Sequence, residues 1–194
     1  GFEVILLSLR HNEKLAKYEE YKGIKIHRIT IHKKLFDKLH ASYLINPLYK
    51  WFMYRAIRKH IEKYKVEALH IHNLPLTDVG VKLRDKYSIK LVCDQHEYYS
   101  NWIVRTAHYN TNIGRMVKRL SNWKRYEQKY LPLADLVISI EEPLRRVYIE
   151  EVGVDPERVI GIPNTPRESI FNGDNINYDI VNQYKDKFVL FYAG

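Results

Sequence analysis

The sequence predicts an α/β fold built on a parallel, doubly wound sheet, and three observations predict it. Short, almost wholly apolar runs rich in β-branched residues recur along the chain, as strands covered on both faces require. Segments with three- and four-residue apolar spacing separate them, so strand and helix alternate as they do around a parallel sheet. The 194 residues are 45% apolar, enough for one sizeable core and too few for two full domains of this kind.

The elements follow in order. Residues 2–9 read as a buried strand, and residues 11–21, polar and unpatterned, as a loop or ragged helix. Lys22-Gly23 makes a turn into residues 24–29, whose alternation marks a half-buried strand near the sheet edge. Residues 30–43 are irregular and basic; Asn46-Pro47 then starts a helix, cap followed by proline. On it Leu48, Trp51, Tyr54, Ile57, Ile61 and Tyr64 share one face. Residues 67–72 form the next strand, residues 76–87 a helix capped by Thr77, and residues 90–94 a further strand. A long polar and aromatic connection over 95–112 leads into a basic helix over 114–130.

Residues 130–164 make a complete strand–helix–strand unit around which the rest is organised. Residues 136–140 are the first strand. Glu141-Glu142-Pro143 opens the helix, with two acids at the positive end of its dipole and proline where no N–H is needed. Gly153 closes it as a C-cap, and residues 159–162 are the second strand, stopped by Pro163.

The net charge of +9 fits an anionic partner (substrate phosphate, a membrane surface or nucleic acid) as readily as a solvated basic surface. The single cysteine, Cys93, excludes an internal disulfide and fits a reducing compartment. No secretory leader is read at the start, and no apolar run is long enough to cross a bilayer.

Ala134-Asp135-Leu136-Val137-Ile138-Ser139, the Glu-Pro-Leu helix start, Val152-Gly153-Val154-Asp155-Pro156-Glu157-Arg158-Val159 and Ile162-Pro163-Asn164 together resemble the end of the N-terminal domain of GT-B glycosyltransferases. The closest match is the large retaining family four. Glu141 departs from it, standing where that family usually has serine. The resemblance implies a Rossmann-like, acceptor-side domain, incomplete at both ends. Residues 1–164 would be that domain without its first strand and helix, residues 165–187 the interdomain linker, and residues 188–194 the truncated first strand of the C-terminal, donor-binding domain. An open sheet without its central strand would leave interior backbone groups unpaired. Either that strand lies outside these residues, or residues 2–9 take its place.

Parallel sheets bind ligands beyond the carboxyl ends of their strands. Three such ends carry unusual side chains: His70-Ile71-His72-Asn73, Asp94-Gln95-His96-Glu97 and Ile162-Pro163-Asn164. The second is similar to the family's His-acid pattern, which makes His96 the catalytic candidate. By that resemblance it touches the transferred sugar and helps stabilise charge as the leaving phosphate departs. Glu97 stands where aspartate is commoner, and Asp94 either orients His96 or caps the loop. His72, Asn73 and Asn164 join them as acceptor- or substrate-binding candidates, with Tyr98, Tyr99 and Trp102. Ring faces cover the apolar side of a pyranose, though these rings serve equally to anchor a long loop, as does Tyr109 beyond them.

His70 and His72 lie two apart and share a strand face, so with Asp94, His96 and Glu97 they have the residue types of a metal cluster. Satisfaction of local backbone is the plainer reading, and the family carries histidines here without a structural metal. No metal is expected. Arg115, Lys118 and Arg119 around Trp123 suit contact with an anionic membrane surface, while the aromatic stripe of the helix after Pro47 reads as packed on the sheet. Glu127 matches an acid common before the Ala-Asp strand and reads as structural.

No G-x-G-x-x-G and no Walker sequence is present, which removes the usual NAD and ATP readings. The Glu-x7-Glu segment with which retaining members hold the donor belongs to the C-terminal half. This piece is therefore expected to bind no cofactor and to be inactive alone, with its own C-terminal domain as partner. The resemblance implies that the intact enzyme, hexosyltransferase-like, moves a sugar from a nucleotide-diphosphate sugar to an acceptor, lipid-linked or glycan, with retention. It would work in the cytoplasm, peripheral at the inner membrane face. Two alternatives remain open: a GT-B-like sugar-nucleotide epimerase, and a non-catalytic basic, aromatic module for anionic lipid or nucleic acid, the last being the least expected partner.

Overall fold

The computed structural model describes residues 1–10, 12–31, 47–103, 105, 120–165, 169 and 176–190. It divides into two units, Gly1–Ile162 and Pro163–Gly194.

The first unit holds two sheets. Strands β1 (Val4–Arg10), β2 (Tyr18–Tyr21) and β3 (Ile24–Thr30) lie in the order β1-β3-β2. β1 runs parallel to β3, while β2 pairs antiparallel to it. Lys22 and Gly23 join β2 to β3 with φ of 51° and 80°, the left-handed pair that a tight hairpin needs to match strand twist. This corrects two expectations. Residues 18–21 are a strand, and β3 is the middle of its sheet because β2 covers its outer side. The sequence YEEY hid β2: three of its four residues face solvent, so no apolar alternation was required.

Strands β4 (Ala68–His72), β5 (Lys90–Gln95), β6 (Leu136–Ser139) and β7 (Val159–Gly161) form the second sheet, all parallel and in chain order. In its register His72 lies opposite Asp94, and Asp94 opposite Ile138. Among the described residues β1 pairs with β3 and not with β4, so residues 2–9 do not take the place of a strand beside β4.

Helix α1 spans Pro47–Tyr64, α2 Thr77–Tyr87, α3 Tyr99–Ile103, α4 Leu120–Tyr130 and α5 Glu142–Val147. A wider turn, Tyr148–Val152, continues α5 and ends at Gly153, whose φ of 84° makes it the expected left-handed cap. Thr77 does not cap α2; its hydroxyl donates back to the Leu74 carbonyl at 2.8 Å, within the preceding short turn Leu74–Leu76. The main core joins β4–β7 to the α5 segment through Ile71, Leu91, Cys93, Val137, Leu144, Tyr148 and Val159. Gly80 lets α2 settle onto this sheet: a Cβ there would stand 2.4 Å from the Ile71 Cδ1.

On α1 the buried residues are Tyr49, Met53 and Ile61, whereas Leu48 and Trp51 are exposed. The expected stripe therefore holds only toward the C-terminal end of the helix. Trp51 instead lies under the Arg55 guanidinium, 4.8 Å from its ring centre, an i,i+4 contact that needs no core.

Cys93 is fully buried, and burial pushes its thiol up to about 12. A thiol held neutral and away from solvent is a poor nucleophile. Labelling of the native chain by an aromatic disulfide reagent is expected to be at least about a hundredfold slower than in denaturant. Comparable rates would show that β5 opens readily.

In the second unit α6 (Tyr178–Asn182) starts at Asn177, whose side chain accepts from the Asp179 and Ile180 N–H groups. Residues 165–187, read as a linker without periodicity, thus include one capped helical turn. Phe188, Val189 and Leu190 carry no regular structure. Residues 191–194 lie outside the described residues.

Candidate functional site

The carboxyl ends of β4 and β5 bring four sequence-singled residues together. Adjacent parallel strands in register point matching residues to the same face, and residues two apart on a strand share that face. His70 and His72 on β4 therefore stand beside Asp94 on β5, with His96 just beyond it. The Asp94 Oδ2 lies 3.2 Å from His70 Nε2, 3.3 Å from His72 Nδ1 and 3.3 Å from His96 Nε2. His72 Nδ1 and His96 Nε2 are 3.2 Å apart. The three rings stack in series, His70 on His72 at 4.7 Å and His72 on His96 at 5.5 Å. Partial burial against the sheet, then the neighbouring His70, hold the His72 imidazole below its ordinary pKa.

The carboxylate is the least accessible member, its side chain 13% exposed against 39% for His96. The Asn73 N–H donates to the Asp94 backbone carbonyl at 2.8 Å and so ties the two strand ends together. Asn73 does this with φ 62° and ψ 166°, a backbone region that residues bearing a Cβ seldom enter. Glu97 is exposed, and its carbonyl accepts from the buried Tyr148 hydroxyl at 3.2 Å.

The remaining candidates divide. Tyr98 is half-buried and donates to Glu151 at 3.1 Å. Tyr99 is not available to a ligand: it is 6% exposed, in a second core with Leu74, Ile103, Trp123 and Tyr126. Trp102 leans on the Tyr99 ring at 5.6 Å yet stays 42% exposed, so it both anchors the segment and presents a face. Asn164 is exposed and belongs to the other unit.

Arg115, Lys118, Arg119 and Tyr109 lie outside the described residues. Trp123, grouped with the basic residues as a membrane contact, is 3% exposed and packs on Tyr99 at 5.1 Å. That expectation is corrected. With Tyr126 three residues on, Trp123 forms the buried face of α4, and a ring placed in a core gains more than one left at an interface. Sequence reading also passed over Gln95 and Ser100, buried polar side chains without hydrogen-bond partners among the described residues.

The sequence model of Glycosyltransferase Family 4 matches residues 1–165. The chain belongs to glycosyltransferase family 4. Solved structures agree at the level of fold. Sucrose-phosphate synthase from Thermosynechococcus elongatus superposes with a TM-score of 0.61 at 17% identity, over 88% of this chain and 40% of that one. A glycosyltransferase from Rickettsia africae gives 0.53 at 15% identity, over 93% of this chain and 48% of that one. The family 4 chain thus spans less than half of either. No curated protein gives a significant match. The parallel sheet β4–β7, with its helices, is the Rossmann-like arrangement of a GT-B N-terminal domain. No described helix is long and apolar enough to cross a membrane.

Proposed function

We propose that this family 4 chain is the acceptor-side part of an enzyme that moves a sugar from a nucleotide-diphosphate donor to an acceptor with retained configuration. His96 would contact the transferred sugar as the phosphate leaves. One observation supports this above the others: the His96 ring is open to solvent at the carboxyl edge of the parallel sheet, with a buried carboxylate, Asp94, 3.3 Å behind it. An imidazole so held can donate to sugar hydroxyls or to developing negative charge near neutral pH. Glu97 and Trp102, both exposed just beyond it, would line the acceptor side. The donor would be held by a C-terminal domain, and orientation between the two halves would supply much of the rate.

In the intact enzyme, His96→Ala is expected to lower kcat at least about a hundredfold while leaving donor KM within a few-fold. Product must require acceptor; turnover of the sugar nucleotide alone would indicate an epimerase instead. An unchanged rate removes His96 from the reaction.

A further inference from the structure

The His70, His72, Asp94 and His96 cluster is too tightly drawn for hydrogen bonding alone to account for it. One carboxylate oxygen is approached by three imidazole nitrogens at 3.2 to 3.3 Å, and two of those nitrogens face each other at 3.2 Å. Of the three approaches to Asp94, only that of His70 has the geometry of a hydrogen bond. His72 and His96 meet Asp94 by proximity, and one of the pair has to give the other its only proton. Four polar atoms converge where two hydrogen bonds would suffice.

Tetrahedral coordination explains the spacing. With metal–nitrogen bonds of 2.0 to 2.1 Å and a similar metal–oxygen bond, neighbouring ligand atoms in a tetrahedron lie about 3.3 Å apart. The Asp94 Oδ2 stands at that distance from both His70 Nε2 and His72 Nδ1. The ligand atoms of His70, His72 and Asp94 all fall within 4.8 Å of one another. The pleat makes this no accident of rotamers, since His70 and His72, two apart on β4, share a face with Asp94, the register partner of His72 on β5. The strands are rigid, and Asn73 locks their ends.

We propose that His70 Nε2, His72 Nδ1 and Asp94 Oδ2 form a three-ligand binding site for a divalent transition metal. Two imidazoles and one carboxylate, with a fourth position left for water, select Zn2+ over Mg2+ or Ca2+, which take oxygen ligands. This inference does not rest on the transfer reading, because it concerns the chain without donor or acceptor. His96 lies outside this ligand set, its Nε2 3.2 Å from His72 Nδ1, so a bound ion would stand beside the nitrogen assigned to the sugar.

The test is a Co2+ titration of this chain after chelator treatment, followed by its visible absorption, with Zn2+ in competition. The expected result is saturation at a single equivalent with the intense bands of four-coordinate Co2+, bleached by Zn2+. His72→Ala and Asp94→Asn should each weaken binding at least about tenfold. His60→Ala, in the separate cluster with His27, should change nothing; it also controls for general loss of histidine. Circular dichroism of each variant shows that it is folded, and His70→Ala replaces any that is not. Absence of the bands, or binding unaltered by His72→Ala and Asp94→Asn, overturns the site. Loss of kcat in His96→Ala without metal binding by this chain would leave the transfer reading standing alone.

Discussion

Glu127→Gln is expected to make the folded chain more stable above about pH 7, by about 2–3 kcal/mol, and to change little near pH 4. Glu127 on α4 is 1% exposed, and neither carboxylate oxygen has a hydrogen-bond partner among the described residues. Burial pushes its carboxyl up to about 7, against weaker pulls from the nearby Ser100 hydroxyl and from Lys124. The sign follows from linkage. Below its ordinary value of 4.5 the acid is neutral in both states and costs nothing. Between there and about 7 the unfolded chain ionises while the folded one does not, so stability falls as pH rises. Above that the penalty is constant. Glutamine keeps the shape and never ionises, so the variant should lose this slope. Thermal melts across that range, for chain and variant, measure it; at about 2–4 °C per kcal/mol the gap should reach roughly 5–10 °C. Parallel profiles would mean that Glu127 reaches solvent.

Asp78→Ala is expected to lower stability by about 3–5 kcal/mol. Asp78 is 5% exposed at the start of α2, and three elements meet on it. Lys50 of α1 donates to its Oδ2 at 2.7 Å, the Tyr126 hydroxyl of α4 donates to its Oδ1 at 2.7 Å, and its own N–H reaches the Tyr126 oxygen at 3.1 Å. The Lys50 ammonium also lies 4.5 Å from the Tyr126 ring centre. Alanine would strand a cation whose side chain is 16% exposed and leave the Tyr126 hydroxyl to donate only to the Pro75 carbonyl, at 3.2 Å. Most of the cost is that unpaired charge, so Lys50→Met should recover part of it, with a coupling of at least about 1 kcal/mol in the double-mutant cycle. Chemical denaturation gives all four corners. A loss under about 1 kcal/mol, or strictly additive changes, would show that the pair contributes nothing beyond packing.

Legibility in the sequence followed locality. The strand of residues 136–139, the helix opened by Glu-Glu-Pro and the Gly153 cap were readable because each depends on neighbours a few residues away. β2 was not, since its pairing with β3 and not its own composition makes it a strand. Trp123 was misread for a related reason: its neighbours in sequence are basic, but its neighbours in space are Tyr99 and Tyr126. The exposed Trp51 is the reverse case, apolar at helical spacing yet not in the core.

The site shows the same division. His70-x-His72 and Asp94-x-His96 each announced a strand end with polar chemistry, and family membership could be read from the motifs around residues 130–164. Whether the two pairs would meet depended on a register between strands more than twenty residues apart, His72 opposite Asp94. Local periodicity and turn chemistry determine which segments are strands and helices, and so the fold class. Distances between donors, and which acids and rings lose their water, are set only when distant segments pack, because burial and pairing are properties of the assembled chain.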